Sequence, residues 1–221
     1  MHYTSLISGK SFSESYGIIL LSMLDLGRKC VVVDIGGKDV NGSLRSFFET
    51  KGMKFVCVDM ESDKSVDIVS PPGEKLPFED GSVDLIVSTS CFEHDPCFWL
   101  TFKEMTRIIK PSGYIYVNAP TKGPYHCFPG DNWRFYSDAG QALAYWSGKQ
   151  ISNEQIYPVK VIETFNVVGE CWNDFICVWK RVSLENIEKN IIVQSEVLNN
   201  VGILEKTINN YGLQTKKKCE C

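Results

Sequence analysis

Apolar positions along the chain come in short continuous runs separated by stretches with helical spacing. Lys29 to Ile35 (KCVVVDI) is such a run and ends at Gly36-Gly37; it reads as a strand buried on both faces. Similar runs follow at Phe55–Val58, Val66–Val69, Val83–Val87 and Gly113–Asn118. Between them the period changes. Residues 13–26 carry apolar positions at helical spacing behind Ser13, a cap residue, and stop at Gly27. Asn41 or Ser43 can open a second helix through Leu44, Phe47 and Phe48. Phe98–Ile109 predicts a third, stopped by Pro111-Ser112-Gly113. Strands alternating with helices imply right-handed βαβ units, hence a doubly wound, mostly parallel α/β sheet. Such sheets bind ligands at the carboxyl ends of their strands.

After residue 150 the pattern shifts. Val159–Val168 and Asp174–Trp179 predict two strands joined through Gly169–Trp172. Leu184, Ile187, Ile191, Leu198, Val201, Leu204, Ile208 and Tyr211 then recur mostly three and four apart, which predicts an amphipathic helix interrupted at Gly202. The expected division is a domain over residues 1–181 and a helical extension with a tail over 182–221. The helix is expected to pack back on its own domain; pairing with a second copy as a homodimer is the alternative.

Composition narrows the class without naming it. Hydrophobic residues make up 43% and charged residues 23% of 221 positions, ordinary globular usage that excludes disorder as the main state. A net charge of -4 gives no global positive field, so nucleic acid is not the expected partner. No apolar run approaches the about 20 residues of a membrane span, so no membrane association is expected. The nine cysteines form no CxxC pair. Thiols such as Cys57 sit inside apolar runs as small buried hydrophobes, which points to a reducing, cytoplasmic compartment and to no metal site.

The polar residues of interest cluster where strands end. Asp34, Gly36 and Gly37 follow the first strand, where glycines let a ligand approach the backbone. Asp59 follows the second, where an acid can accept both hydroxyls of a ribose. The bland alternative is that the glycines make a turn and Asp59 caps a helix. Two of the three histidines, His94 and His126, follow later strands on the same face and are the candidate general bases. His94 can instead orient the helix that starts near Pro96. His126 shares a loop with Tyr125, Asp131, Trp133, Arg134 and Tyr136, a candidate substrate-contacting set. Trp133 and Tyr136 can stack on a sugar or base, and Arg134 can grip a phosphate or carboxylate. Equally, the loop can be a packed lid in which Arg134 bridges to Asp131 or Asp138.

Taken in order, VVVDIGGKDVNGSLRSFF, VCVDM, EKLPFEDGSVDLIVSTSCFEH and EMTRIIKPSGYIYVNAP resemble the class I S-adenosylmethionine-dependent methyltransferases, type 11 group, over residues 29–145. The segment PYHCFPGDNWRFYSDAGQALA resembles the substrate side of a subgroup found near sugar and surface-polysaccharide enzymes. The resemblance implies a Rossmann-like, seven-stranded sheet and S-adenosyl-L-methionine as cofactor. It places Asp34, Gly36 and Gly37 around the methionine portion, Asp59 at the ribose, and Met60 beside the adenine. It puts Glu74 and Leu76 in the loop flanking the adenine, and Ser88 and Thr89 beneath the sulfonium. Where the family often has an acid for the adenine amino group, Pro71-Pro72-Gly73 stand here, so backbone groups are expected to take that role. The implied reaction is O- or N-methylation of a small molecule such as a sugar or phosphorylated sugar. Two other classes also suit the glycines and Asp59. One is a nicotinamide-dependent oxidoreductase, against which stand Asp39 and the missing GxGxxG. The other is a non-catalytic module that binds a cofactor or partner.

Overall fold

The computed structural model of the protein describes residues 3–23, 28–127, 129–149, 155–182, 204–209 and 212–217. Its centre is a sheet built from β1 (Val31–Ile35), β2 (Lys54–Asp59), β3 (Ile68–Val69), β4 (Val83–Thr89), β5 (Ile109–Lys122), β6 (Val159–Val168) and β7 (Asn173–Arg181). These seven lie in the order β3-β2-β1-β4-β5-β7-β6, with β7 antiparallel to both its neighbours and the remaining pairs parallel. All seven strands expected from the hydrophobic runs are present.

Alternation along β1 explains why it reads as a solid apolar run. Val33 and Ile35 pack into one core, with Val83, Ile86 and Val117, while Val32 faces the other, with Leu85 and Val87. Each face is covered by a pair of helices, as a doubly wound sheet requires. On one side lie α1 (Tyr3–Met23) and α2 (Arg45–Glu49), contributing Phe12, Leu44 and Phe48. On the other lie α3 (Phe98–Ile108) and α4 (Ala139–Ser147), contributing Phe102, Met105 and Leu143.

Three boundaries differ from the sequence reading. Helix α1 starts ten residues before Ser13, and Ser13 is an interior residue whose hydroxyl donates to the Lys10 carbonyl at 2.8 Å. Its first turns bury small polar side chains. Thr4 donates to the Asp174 carboxylate at 2.9 Å and Ser5 to the Asn118 side-chain oxygen at 3.1 Å, so they lack the apolar signature of a covered helix face. The Pro111-Ser112-Gly113 step does not separate α3 from a later strand. It is a bulge inside β5, with Ser112 at φ +67° and a shift of register against β4 between Val83 and Leu85.

The third departure concerns the C-terminal extension. Of the positions that set its helical spacing, Leu184, Ile187, Ile191, Leu198, Val201 and Tyr211 lie outside the described residues. Leu204 and Ile208 fall in a strand instead of a helix. This strand, β8 (Leu204–Asn209), runs parallel to β6 and antiparallel to β9 (Gly212–Lys217), so the sheet has nine strands where seven were expected. A spacing of four satisfies a period of two as well as one of 3.6, so the apolar pattern alone did not distinguish them. The antiparallel register that pairs Leu204 with Lys217 and Asn209 with Gly212 selects the strand. No described helix is long and apolar enough to cross a membrane.

Candidate active site

The carboxyl ends of β1, β2 and β4 open into a cavity of about 470 Å³. At its near wall the β1 loop is held against β2, because the amides of Gly36 and Gly37 both donate to the Val58 carbonyl, at 2.8 and 3.2 Å. Gly36 has φ +71°, and a Cβ there would lie 2.3 Å from the Cys91 sulfur. Both facts demand glycine. A Cβ on Gly37 would fall 2.6 Å from the Asp34 carboxyl carbon, so Gly37 caps that side chain at contact distance.

Asp34 therefore sits one layer beneath the cavity, fully buried, and neither carboxyl oxygen has a hydrogen-bond partner. Burial, reinforced by Asp59 and opposed by Arg45, pushes its value up to about 8. Asp59 lines the wall itself. Its two oxygens accept the backbone N–H groups of Lys38 and Glu61, each at 3.1 Å, which fixes both flanking loops around one carboxylate. Met60 is half-exposed at the rim. Pro71, Pro72, Gly73, Glu74 and Leu76 form the opposite lip. That lip is anchored from below: the Leu76 amide donates to Glu104, and the Arg107 guanidinium donates to the Leu76 and Phe78 carbonyls at 2.9 and 2.8 Å. Thr89 lines the floor, with a buried hydroxyl that has no partner, while Ser88 is turned away and donates to the Ile35 carbonyl at 2.8 Å.

The far side of the cavity is made by side chains. His94 and His126 both line it, with their rings edge to face at 4.8 Å between centroids. The His94 Nδ1 is bonded to the Gly130 carbonyl, which can only accept, so this nitrogen carries the proton and Nε2 presents its lone pair. Burial, more than the neighbouring ring, holds His94 below the ordinary histidine value, so it is neutral at pH 7. Asp95, not His94, braces the turn ahead of α3, accepting the Cys97 amide at 2.8 Å. The His126 Nδ1 lies 3.3 Å from an Asp131 oxygen, and the His126 amide donates to the same oxygen at 2.9 Å.

The 125–136 loop thus divides. Asp131 accepts the His126 amide and is gripped through both oxygens by Arg134, whose fork also donates to the Pro124 carbonyl. This pair holds the Asp131 carboxyl well below the usual carboxylate range. Trp133 donates to the Asp95 carbonyl at 2.9 Å and packs edge-on against Phe98, outside the cavity lining. Tyr125 and Tyr136 are each 75% exposed and also outside the lining. Of the five substrate-side candidates, none contributes to the cavity wall directly, and Asp131 reaches it through His126.

Sequence reasoning missed several groups here. Ser90 lies in the left-handed region at φ +51° with a buried, unpartnered hydroxyl, Cys91 fills the space beside Gly36, and Trp172 stacks edge-on to His126 at 4.7 Å. Glu93 is the least expected. It is 1% exposed, one carboxyl oxygen is unpartnered, and burial pushes its value up to about 8. The FEHD context reads as a helix-start acid, and only the position of Ser90–Glu93 directly after the fourth strand could have drawn attention to these residues.

Comparison with known proteins agrees with this geometry. Residues 15–117 match the family described as methyltransferase domain. An uncharacterised methyltransferase of Mycobacterium sp. (strain KMS) is 34% identical over 91 residues, which cover 37% of this chain and 35% of the relative. One from Mycolicibacterium gilvum is 31% identical over 97 residues, covering 39% and 37%. The chain therefore spans little more than a third of the length of these relatives. Among solved structures, the 1,6-didemethyltoxoflavin-N1-methyltransferase of Burkholderia thailandensis, with bound 1,6-didemethyltoxoflavin and S-adenosylhomocysteine, superposes with a TM-score of 0.55. It is 14% identical, and the match covers 81% of this chain and 79% of that one. A putative sarcosine dimethylglycine methyltransferase from Galdieria sulphuraria gives 0.56 at 14% identity, covering 78% and 84%. At these identities the likeness is one of fold.

Proposed function

We propose, from a methyltransferase domain at residues 15–117 on a class I fold, that the chain transfers the methyl group of S-adenosylmethionine to a hydroxyl of a small sugar-like acceptor. The observation that carries the reading is the two-sided cavity, with a glycine and carboxylate cradle on one wall and two histidines on the other. The residues present fit the cofactor. Gly36 and Gly37 let the β1 loop close tightly against Cys91 and over Asp34, so that their backbone lines the cavity, and Thr89 and Ser90 offer unpartnered hydroxyls. In this reading Asp59 takes the ribose hydroxyls, Met60, Glu74 and Leu76 enclose the adenine, and Gly36 and Gly37 admit the methionine portion. When bound, the cofactor supplies a methyl group already activated on a sulfonium. The protein is left to hold the acceptor in line with it, which is the larger part of the barrier, and to remove a proton.

His126 is the general base we favour. Its Nδ1 lies 3.3 Å from the Asp131 carboxylate without a hydrogen bond, an ion-pair distance once the ring takes a proton, and its partial exposure gives that proton a route to solvent. His94 Nε2 is placed to hold the acceptor hydroxyl. Since Arg134 is engaged by Asp131, the loop offers no free guanidinium for a phosphate, and an uncharged sugar is the better fit than a phosphorylated one.

Calorimetry with S-adenosylhomocysteine and with NADH tests the cofactor. Binding of the nicotinamide alone overturns the reading. Transfer of labelled methyl groups to a panel of free sugars, sugar phosphates and nucleotide sugars tests the acceptor. We expect label on a sugar hydroxyl, with His126→Gln lowering kcat by about 100-fold and shifting its pH profile. Unchanged kinetics in that variant would remove His126 as base.

A further inference from the structure

We propose that Glu93, His94 and His126 form a binding site for one divalent transition-metal ion on the acceptor side of the cavity. Each residue offers one ligand atom, and these atoms lie within 4.8 Å of one another, with His94 Nε2 at 3.7 Å from a Glu93 oxygen. In a tetrahedral site with metal–nitrogen bonds of about 2.0–2.1 Å, ligand atoms stand about 3.4 Å apart. Side-chain rotations of about an ångström close the difference. Two imidazoles with one carboxylate suit zinc, cobalt or ferrous iron over calcium or magnesium.

Three observations separate this cluster from a chance meeting of polar groups. First, Glu93 is almost wholly buried and one of its oxygens has no partner, an arrangement that costs free energy in an unliganded protein. Second, one ring already has the outer support that metal-bound histidines use. The His94 Nδ1–H goes to the Gly130 carbonyl, which leaves Nε2 for an ion, while the His126 Nδ1 is buried without a hydrogen bond, 3.3 Å from an Asp131 oxygen. Third, the frame is fixed: the Glu93 carbonyl accepts the amides of Asn132 and Trp133, at 2.7 and 3.2 Å, tying the β4 loop to the loop that carries His126. The histidines line the cavity and Glu93 lies behind them, so three protein ligands would leave a position open towards the acceptor. If methyl transfer is the activity, an acceptor hydroxyl on that position would be acidified by the ion and give its proton to solvent water in the open cavity; with the ion bound the rings are ligands, and the role of His126 as base belongs to the metal-free protein. The site itself does not depend on that reading.

Cobalt(II) is the probe, added to full-length, chelator-treated protein, with zinc as competitor. One equivalent should bind with intense visible d–d bands and be displaced by zinc. Glu93→Gln and His126→Gln should each weaken binding by 100-fold or more, as expected for loss of a direct ligand. Melting curves and S-adenosylhomocysteine binding report whether the variants are folded. Equal cobalt affinity in wild type and both variants overturns the site. So does a near-ultraviolet thiolate charge-transfer band as the main signal, because it would place the ion on cysteine. Metal binding with no affinity for S-adenosylhomocysteine would leave this site standing and remove the methyltransferase reading.

Discussion

The two walls of the cavity each bury a carboxylic acid, Asp34 beneath the β1 loop and Glu93 behind the histidines, and burial pushes both to about 8. Their surroundings differ. Asp34 is enclosed by backbone and by Gly37, with Asp59 and Arg45 as its charged neighbours. Glu93 is enclosed by side chains, with His94 3.7 Å away. One wall is shaped by the absence of side chains and by amides aimed at Asp59. The other is shaped by side chains that hold one another through Asp131, Arg134 and Gly130. The first arrangement suits a ligand of constant shape. The second can be altered one residue at a time, which suits the half of a transferase that must fit a particular acceptor.

The comparison breaks most sharply at Gly36. Its φ of +71° costs a residue with a Cβ about 1–2 kcal/mol, and the 2.3 Å approach to the Cys91 sulfur adds overpacking of about 1–3 kcal/mol. We expect Gly36→Ala to lower urea stability by about 4 kcal/mol. Adding Cys91→Gly should restore the overpacking share and leave the backbone share. No single substitution at His94 or His126 should cost as much.

Asp34 comes next, through pH. Its folded value is raised from an ordinary 3.8 to about 8, so the folded state holds a proton that the unfolded state releases. Stability is then full below about pH 4, falls as pH rises towards about 8, and is flat beyond. The groups that set this are burial, Asp59 and Arg45. Asp34→Asn should remove its share of the slope, leaving that of Glu93, which burial also raises to about 8, and should raise stability at pH 8 by on the order of 3 kcal/mol. A slope unchanged in Asp34→Asn would mean that this carboxyl is not the proton-holding group.

Asp59 separates binding from folding. Removing a carboxylate that accepts ligand hydroxyls costs about 1.5–3 kcal/mol, so Asp59→Ala should weaken S-adenosylhomocysteine binding by about 100-fold in calorimetry. Part of that loss will come from the Lys38 and Glu61 amides it now holds. Asp59→Asn, which keeps an acceptor for one of them, should fall between. An unchanged dissociation constant in both variants would move the ribose elsewhere.

The same contrast governs what could be read without coordinates. The glycine and carboxylate wall was legible because its determinants are local: a strand of β-branched residues, two glycines at its end, an acid at the end of the next. The histidine wall depends on contacts across long sequence separations. Glu93 is buried because its carbonyl meets Asn132 and Trp133, and the sequence left Arg134 equally open as a ligand-binding cation or as a bridge to Asp131 or Asp138, a choice that the Asp131 carboxylate in its fork decides. His94 and His126 could be nominated from their place after strands, but not paired. In the scaffold, the polar start of α1 and the strand β8 were missed because buried serines and a spacing of four carry no unambiguous period.

Arg134 tests the acceptor wall as a structure. Its loss leaves the buried Asp131 carboxylate with only the His126 amide and ring, so Arg134→Ala should cost about 1–2 kcal/mol in denaturant unfolding and loosen His126. Arg134→Lys, which lacks the planar fork, should recover less than half.

The smallest effect distinguishes the lid from the wall. Tyr125 and Tyr136 are each 75% exposed and lie outside the cavity lining, so Tyr125→Ala and Tyr136→Ala should change stability by less than about 0.5 kcal/mol. Affinity for S-adenosylhomocysteine should not move either. If the rings stack on an acceptor as it enters, KM for that acceptor rises several-fold while kcat holds, because the interaction is equal in ground and transition states. If kcat falls with KM unchanged, the tyrosines act on the reacting geometry, and the wall of side chains extends further along the loop than His126.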